Sequence, residues 1–442
     1  MTEKSHIISY MKKSFLTLKI ITFIVIFFLL TIPVAFMLKD DVNSYSRVLT
    51  HEFYSQDNID ILFCGASHVS HGIDARIADK AFGKNTFSAG TPSQGINGTY
   101  AIIQQALKSY KVSKIYLECD FAIVCREEAN PRKMGTADLI VLDFLKDSKI
   151  RTQFILENSS PSNIFNAVLP IGKDKLITLN PKKFLNKCKS LLNGYYFEYK
   201  YAERDAGYAG KGCVLNYDAI EDGSFSNDES EPPFYPVSEY WKSYIKRICD
   251  LCKENNVELV FYSMPGSDFY LNEKGNYDEF YVEVKEYFAS LGYDYYDFNL
   301  CKPDYSFSDH HYSDDNHFNQ TGVARFSQIF CDFFTGKTTT KDIFYESYAE
   351  KIAAQSDKIY GLIYHFSDDK KTLLVEPVKN HVDSSRIFYD VYAICSGETL
   401  IIAEKSSEKQ FPLPAGKAGQ IRVISYIDGI KQTDCTENFA SF

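Results

Sequence analysis

A chain of 442 residues with 45% hydrophobic and 24% charged content has room for two domains, each with its own core. Its net charge of −10 argues against nucleic acid as a partner, because the chain as a whole has no basic surplus to displace counterions from phosphates. Eleven cysteines set no disulfide framework: Cys64, Cys119, Cys249, Cys252 and Cys331 fall inside apolar patterns, and Cys249-x-x-Cys252 lacks the second pair that zinc would need.

Residues 20–38 form an uncharged, nearly all-apolar run, long enough at ~1.5 Å per residue to cross a ~30 Å hydrocarbon core. Lys4, Lys12, Lys13 and Lys19 precede it, and Asp40-Asp41 follow. The expectation is a single-pass anchor with residues 1–19 cytoplasmic and the rest outside the cell. A cleaved signal peptide would want small residues at its end, where Val34-Ala-Phe-Met-Leu38 offers a poor site.

From residue 59 strand and helix signals alternate. Residues 59–64 read as a buried strand, then Gly65-Ala66-Ser67 as a tight turn. A short helix is expected at 73–82, a longer one at 97–110 and a strand at 114–119. Ser238 caps a helix carrying Trp241, Tyr244, Ile245, Ile248 and Cys252 on one face. Strand 257–263, a helix bearing Phe280 to Leu291, and strand 293–298 complete the alternation. Such alternation implies an α/β parallel sheet with helices on both faces, binding ligands outside the carboxyl ends of its strands. Between 121 and 237 the pattern breaks into a polar, Tyr-rich insertion with an acidic tract around 221–231, either structural decoration or a substrate lid. The predicted sheet domain spans 45–336, a linker helix 337–356, and a small immunoglobulin- or fibronectin-like β-sandwich 357–442, with turns at Ser396-Gly397, Ala415-Gly416 and Asp428-Gly429.

Two motifs carry chemistry. Ser67 follows the first strand, and Asp314-Asp-Asn-His317 precedes the helical pattern Val323, Phe326, Ile329, Phe330. A serine hydroxyl becomes a nucleophile when a base takes its proton and a carboxylate orients that base, so Ser67, His317 and Asp314 are the candidate triad, with Asp315 as fallback. His68 then neighbours the nucleophile. A competing reading gathers Asp309, His310, His311, Asp314 and His317 as a metal site for a metal-dependent hydrolase, although no helical ligand spacing supports it.

Gly65-Ala66-Ser67-His68 with Asp314, His317, Asn319 and Gly322 resembles the SGNH (GDSL-like) hydrolases, in particular their membrane-anchored bacterial branch, over roughly residues 59–335. The resemblance implies a flavodoxin-like sheet and an oxyanion glycine, for which Phe87-Ser88-Ala89-Gly90 fits the slot. The third block, normally G-x-N-D, is replaced by Glu118-Cys-Asp120, which leaves one oxyanion donor to Gln94 or Asn97. What the family implies is an extracytoplasmic serine-dependent O-acyl (O-acetyl) transferase or esterase acting on cell-surface polysaccharide without a cofactor. It also implies two partners besides the bilayer: a cell-surface glycan or acyl-glycan substrate, and a membrane-bound O-acyltransferase. A catalytically inactive scaffold that binds glycan and that partner is the alternative.

Overall fold

The computed structural model describes residues 2–172, 174–227, 236–369, 371–415 and 417–439, the first eleven by backbone alone. Residues 228–231 of the acidic tract, Gly416 of one expected turn and the side chains of Lys4 and Lys12 lie outside the described residues. The chain divides into two compact units, Met1–His51 with Glu128–Ala202, and Glu52–Glu127 with Glu203–Phe442.

In the second unit the strands are β1 (Ile61–Cys64), β2 (Thr86–Ser88), β3 (Lys114–Glu118), β4 (Ala206–Gly210), β5 (Cys213–Asn216), β6 (Ser226–Asn227), β7 (Glu258–Ser263) and β8 (Tyr295–Asp297). Strands β2-β1-β3-β7-β8 form one all-parallel sheet. Every residue of β1 is buried, as expected of a strand covered on both sides. In β7, Phe261 stacks on Phe288 and the next residue, Tyr262, meets Phe330 edge-on. Successive strand side chains point to opposite faces, so the Tyr277–Ser290 and Gln320–Phe334 helices cover opposite sides of the sheet. Counted along the parallel strands alone, the order is 2-1-3-4-5, the flavodoxin-like doubly wound pattern, whose switch point lies between β1 and β3. The carboxyl ends of those two strands lead into Ser67 and Asp120.

The expected linker helix is broken. Helices Thr340–Ile343 and Tyr348–Ala354 flank an extended Phe344-Tyr345, because Phe344 bridges Cys301 and the Tyr345 N–H donates to the Leu300 carbonyl. Ser347 restarts the helix by accepting from the Glu350 N–H.

Beyond it come β9 (Ile359–Phe366), β10 (Thr372–Lys379), β11 (Ile387–Cys395), β12 (Glu398–Ser406), β13 (Gln410–Pro412), β14 (Gly419–Ile427) and β15 (Ile430–Phe439). They build two four-stranded sheets, β13-β10-β9-β6 and β12-β11-β14-β15, antiparallel except where β6 pairs parallel with β9. Leu362, Tyr364 and Val375 from one sheet share a buried cluster with Val391, Val423 and Cys435 from the other. All eleven cysteines are free thiols, nine of them buried and Cys125 and Cys188 half-buried.

In the first unit the helix Thr2–Leu38 contains one stretch, Lys13–Leu38, long and apolar enough to cross a membrane. The unit's other described α-helices are Tyr45–Phe53, which runs out of the unit at its end, Thr136–Phe144, Ser148–Asn158, Ile164–Val168 and Pro181–Leu192. Asp147 and Asn180 cap two of these by accepting backbone N–H bonds, and Pro181 follows its cap at the position that needs no donor. The 121–237 stretch is thus shared between the two units, 128–202 with the long helix and 203–237 with the sheet.

Candidate active site

Ser67 opens a helical turn, Ser67–Ser70, that leaves β1 directly. Ser67 Oγ lies 2.8 Å from His317 Nε2, across 250 residues of sequence. His317 Nδ1 lies 3.0 and 3.1 Å from the two oxygens of Asp314. A carboxylate can only accept, so Nδ1 carries the proton and Nε2 is left to accept from the serine. The loop that achieves this is tied from inside: Asp314 Oδ1 accepts the His317 N–H at 2.7 Å, and the Ser313 N–H returns to the His317 carbonyl at 2.9 Å. Asn319 caps the following helix through the Thr321 and Gly322 N–H groups while its own amide donates to the His310 carbonyl. From β5, Asn216 donates to Ser313 Oγ at 2.8 Å, bracing the same loop. Burial opposes ionisation of Asp314, but its hydrogen bonds with His317 hold it below the usual carboxylate range. Asp315 is raised by burial and by the Asp314 charge, and its carbonyl accepts from the Ser267 N–H, while the imidazole is held by Asp314.

Gly90 lies against the nucleophile turn so closely that a Cβ there would sit 2.2 Å from the Ala66 carbonyl oxygen. Only glycine lets the two backbones approach this far. Gln94 is placed elsewhere: fully buried, it accepts from the Thr91 N–H and hydroxyl and donates to Thr99 Oγ1, so its amide braces its own loop. Asn97 is buried in the first turn of the Ile96–Ser109 helix, with its oxygen beside Gly95.

The competing five-residue metal set does not converge. Asp309 accepts from the Gly223 N–H, His310 pairs with Asp222 at 3.1 Å, and His311 Nδ1 turns to Ser308, leaving only Asp314 and His317 together.

Three residues near the serine, Glu118, Asp120 and His71, were not singled out for a site from the sequence. His68 Nδ1 stands 3.6 Å from Glu118 and 3.7 Å from Asp120, all three buried, with ligand atoms within 4.8 Å of one another. Those separations exceed a hydrogen bond yet would suit either a shared divalent cation or an imidazolium held between two carboxylates. Burial alone would lower the His68 imidazole, but Asp120 and Glu118 overcome it and carry it up to about 9. The charge balance therefore favours the imidazolium. The third is His71, whose ring centroid lies 5.3 Å from that of His317, while the His68 ring lies 5.1 Å away on its own contact. Burial, with His317 adding to it, drives His71 down to about 3, so it stays neutral. The signal for the first trio was present in the sequence as Glu118-Cys-Asp120 standing in place of the third family block.

No protein-family model matches the sequence, and no curated protein matches it at a significant level. Among solved structures, the fold is similar to a candidate acylhydrolase from Bacteroides fragilis, with 8% identity, a TM-score of 0.31, and 67% of this chain and 97% of that one covered. It is also similar to a GDSL-like lipase from Bacteroides thetaiotaomicron, with 9% identity, a TM-score of 0.31, and 67% and 100% covered. Likeness of this degree carries no argument about activity. Any chemistry has to be argued from the geometry above.

Proposed function

We propose that this protein is an extracytoplasmic serine-dependent O-acyl transferase or esterase acting on acyl groups, O-acetyl foremost, of a cell-surface polysaccharide. The observation that carries the reading is the continuous chain from Ser67 Oγ through His317 to Asp314 at 2.8 and 3.0 Å. In the reaction Ser67 Oγ attacks the acyl carbonyl carbon as its proton passes to His317 Nε2, and Asp314 stabilises the resulting imidazolium. The tetrahedral oxyanion is held by the backbone N–H groups of Ser67 and Gly90. Collapse expels the alkoxide, which leaves with the proton from His317, and Ser67 keeps the acyl group. Water or a sugar hydroxyl, deprotonated by His317, then attacks the acyl-serine and restores the enzyme. His71, neutral beside His317, adds no charge to oppose the imidazolium.

The Lys13–Leu38 helix serves in this reading as a single-pass anchor with its amino end cytoplasmic, because Lys4 and Lys12 precede it and Lys13 and Lys19 lie at its amino end. The substrate is an acyl-glycan for the esterase and a glycan acceptor for the transferase, and a membrane-bound O-acyltransferase is the partner that would supply the transferase with acyl groups.

Fluorophosphonate labelling of the full chain tests the nucleophile: Ser67→Ala abolishes labelling if the reading holds, and equal labelling of the variant refutes it. An activated acetyl ester, supplied with and without surface glycan, separates the two reactions. Acetyl-glycan marks a transferase; free acetate that glycan does not divert marks an esterase.

A further inference from the structure

The first unit differs in surface from the rest of the chain. Among the described residues outside the long helix, large apolar side chains stand exposed along 156–197, including Leu156, Phe165, Val168, Leu179, Leu185 and Leu192, with Leu179 82% and Leu192 89% exposed. The second unit, more than twice as long, shows among its described residues only the scattered Tyr217, Val282, Ile401 and Ile430. Residues 128–202 also hold twelve Lys and Arg against seven Asp and Glu, a basic surplus inside a chain whose net charge is −10. Exposed apolar side chains among lysines are costly in water and suited to a lipid surface.

Their place relative to the long helix is fixed by hydrogen bonds. The Asp40 N–H donates to the Leu176 carbonyl at 2.7 Å and the Thr178 N–H to the Leu38 carbonyl at 3.0 Å, so the chain pairs with the helix exit one residue before Leu179. Lys187, buried in the Pro181–Leu192 helix, pairs with the buried Asp41, and Tyr196 donates to the same carboxylate at 3.0 Å. Further in, Phe28 and Ile32 line a cavity of about 360 Å³ together with Leu139, Val168 and Leu169. Along the helix Phe28, Thr31, Ala35 and Leu38 are covered or half-covered at helical spacing, Met37 beside them is half-covered, and most of the other residues in the span are exposed. The 26 residues of Lys13–Leu38 measure ~39 Å at ~1.5 Å per residue, against a ~30 Å hydrocarbon core. Roughly six residues of apolar helix therefore reach beyond that core, and those at the carboxyl end are the ones the first unit covers.

We infer that residues 128–202 form a collar seated in the interface of a bilayer carrying anionic phospholipid, with Leu179 and its exposed apolar neighbours among the acyl chains and the lysines at the headgroups. The inference rests on the anchor reading above. It assigns half of the 121–237 stretch to the membrane.

The protein holds one tryptophan, Trp241, buried in the second unit, so one added tryptophan can be read over a constant background. Full-length Leu179→Trp, Phe23→Trp and Tyr217→Trp variants are reconstituted into vesicles of phosphatidylcholine and phosphatidylglycerol, with the phosphatidylcholine either plain or brominated. Brominated lipid should quench the Phe23→Trp and Leu179→Trp signals about two-fold and leave Tyr217→Trp unchanged. Replacing the phosphatidylglycerol with neutral lipid should weaken quenching at 179 but not at 23; equal quenching at 179 removes the electrostatic part. Quenching at 23 without quenching at 179 overturns the collar, keeps the anchor and hands the apolar face to a protein partner. No quenching at 23 overturns the anchor and the collar together.

Discussion

The two halves of the 121–237 stretch make different use of the same kind of sequence. Residues 128–202 are helical, basic and apolar on the outside, and they close around a buried Lys187–Asp41 pair. Residues 203–227 form the β4–β5 hairpin and the short β6, touch the His317 loop through Asn216 and add a strand to the C-terminal sheet. Continuity along the chain therefore says little about which core a segment serves; what decides is where its buried polar groups find partners.

This contrast can be broken by experiment. The largest effect belongs to the second unit: His317→Ala or Ser67→Ala should lower turnover of an activated ester by ~10⁴-fold or more, because such groups act as a unit. A residual rate within tenfold of the parent enzyme would remove the serine chemistry. In the first unit, Lys187→Met strands the Asp41 carboxylate and should cost ~3–5 kcal/mol of that unit's stability, read as earlier proteolysis within 128–202. Ester turnover in detergent should not change; a parallel loss of activity would mean the halves are not independent.

Gly212→Ala tests the other half. Gly212 has φ +83°, and a Cβ there would sit 1.7 Å from the Ser88 carbonyl oxygen, at the end of β2. The hairpin would have to lift from the sheet, at a cost of ~2 kcal/mol or more in urea unfolding, together with a loss of turnover. A variant with parental stability would show that the hairpin adapts freely.

A smaller effect separates charge from packing at His68. Its folded value of about 9 stands above the ~6.5 of an unfolded histidine, so the stabilisation is complete below pH ~6.5 and lost as pH rises through about 9. The urea midpoint of the parent should fall across that window, and His68→Gln should flatten the decline. An unchanged slope would take the imidazolium away from the Glu118–Asp120 pair. Smallest is Asn216→Ala, which deletes one brace of the His317 loop and should reduce kcat several-fold with KM little changed, on the ~1 kcal/mol scale of one hydrogen bond.

Much of the fold was legible because strands buried on both faces and helices with one apolar stripe write their periods plainly. The Ile61–Cys64 strand, the Glu239–Glu254 helix behind Ser238 and the two-sheet carboxyl end all follow from such patterns. Ser67, Asp314 and His317 were legible as candidates because each stands at an element boundary, where side chains are free to meet. Where the Gln94 amide turns was not legible, because an amide in a loop looks the same in sequence whether it faces a substrate or, as here, Thr91 and Thr99. The parallel pairing of β6 with β9 was invisible, since two residues carry no period. Glu118 and Asp120 looked like a missing motif, and only their approach to His68 gives them a role.

The free thiols have a consequence for maturation. Burial raises Cys64, Cys119 and Cys213 well above their ordinary range, so in the folded protein they are protonated and slow to react. With all eleven cysteines free, the chain needs no oxidase or isomerase to reach its native state. The same economy makes heating hazardous: one global opening in an oxidising medium would release eleven thiols at once, and random cross-linking would trap the chain before it could refold. Its endurance in an oxidising medium should thus be governed by the rate of opening, and a reductant in the assay should turn irreversible heat loss into a recoverable one.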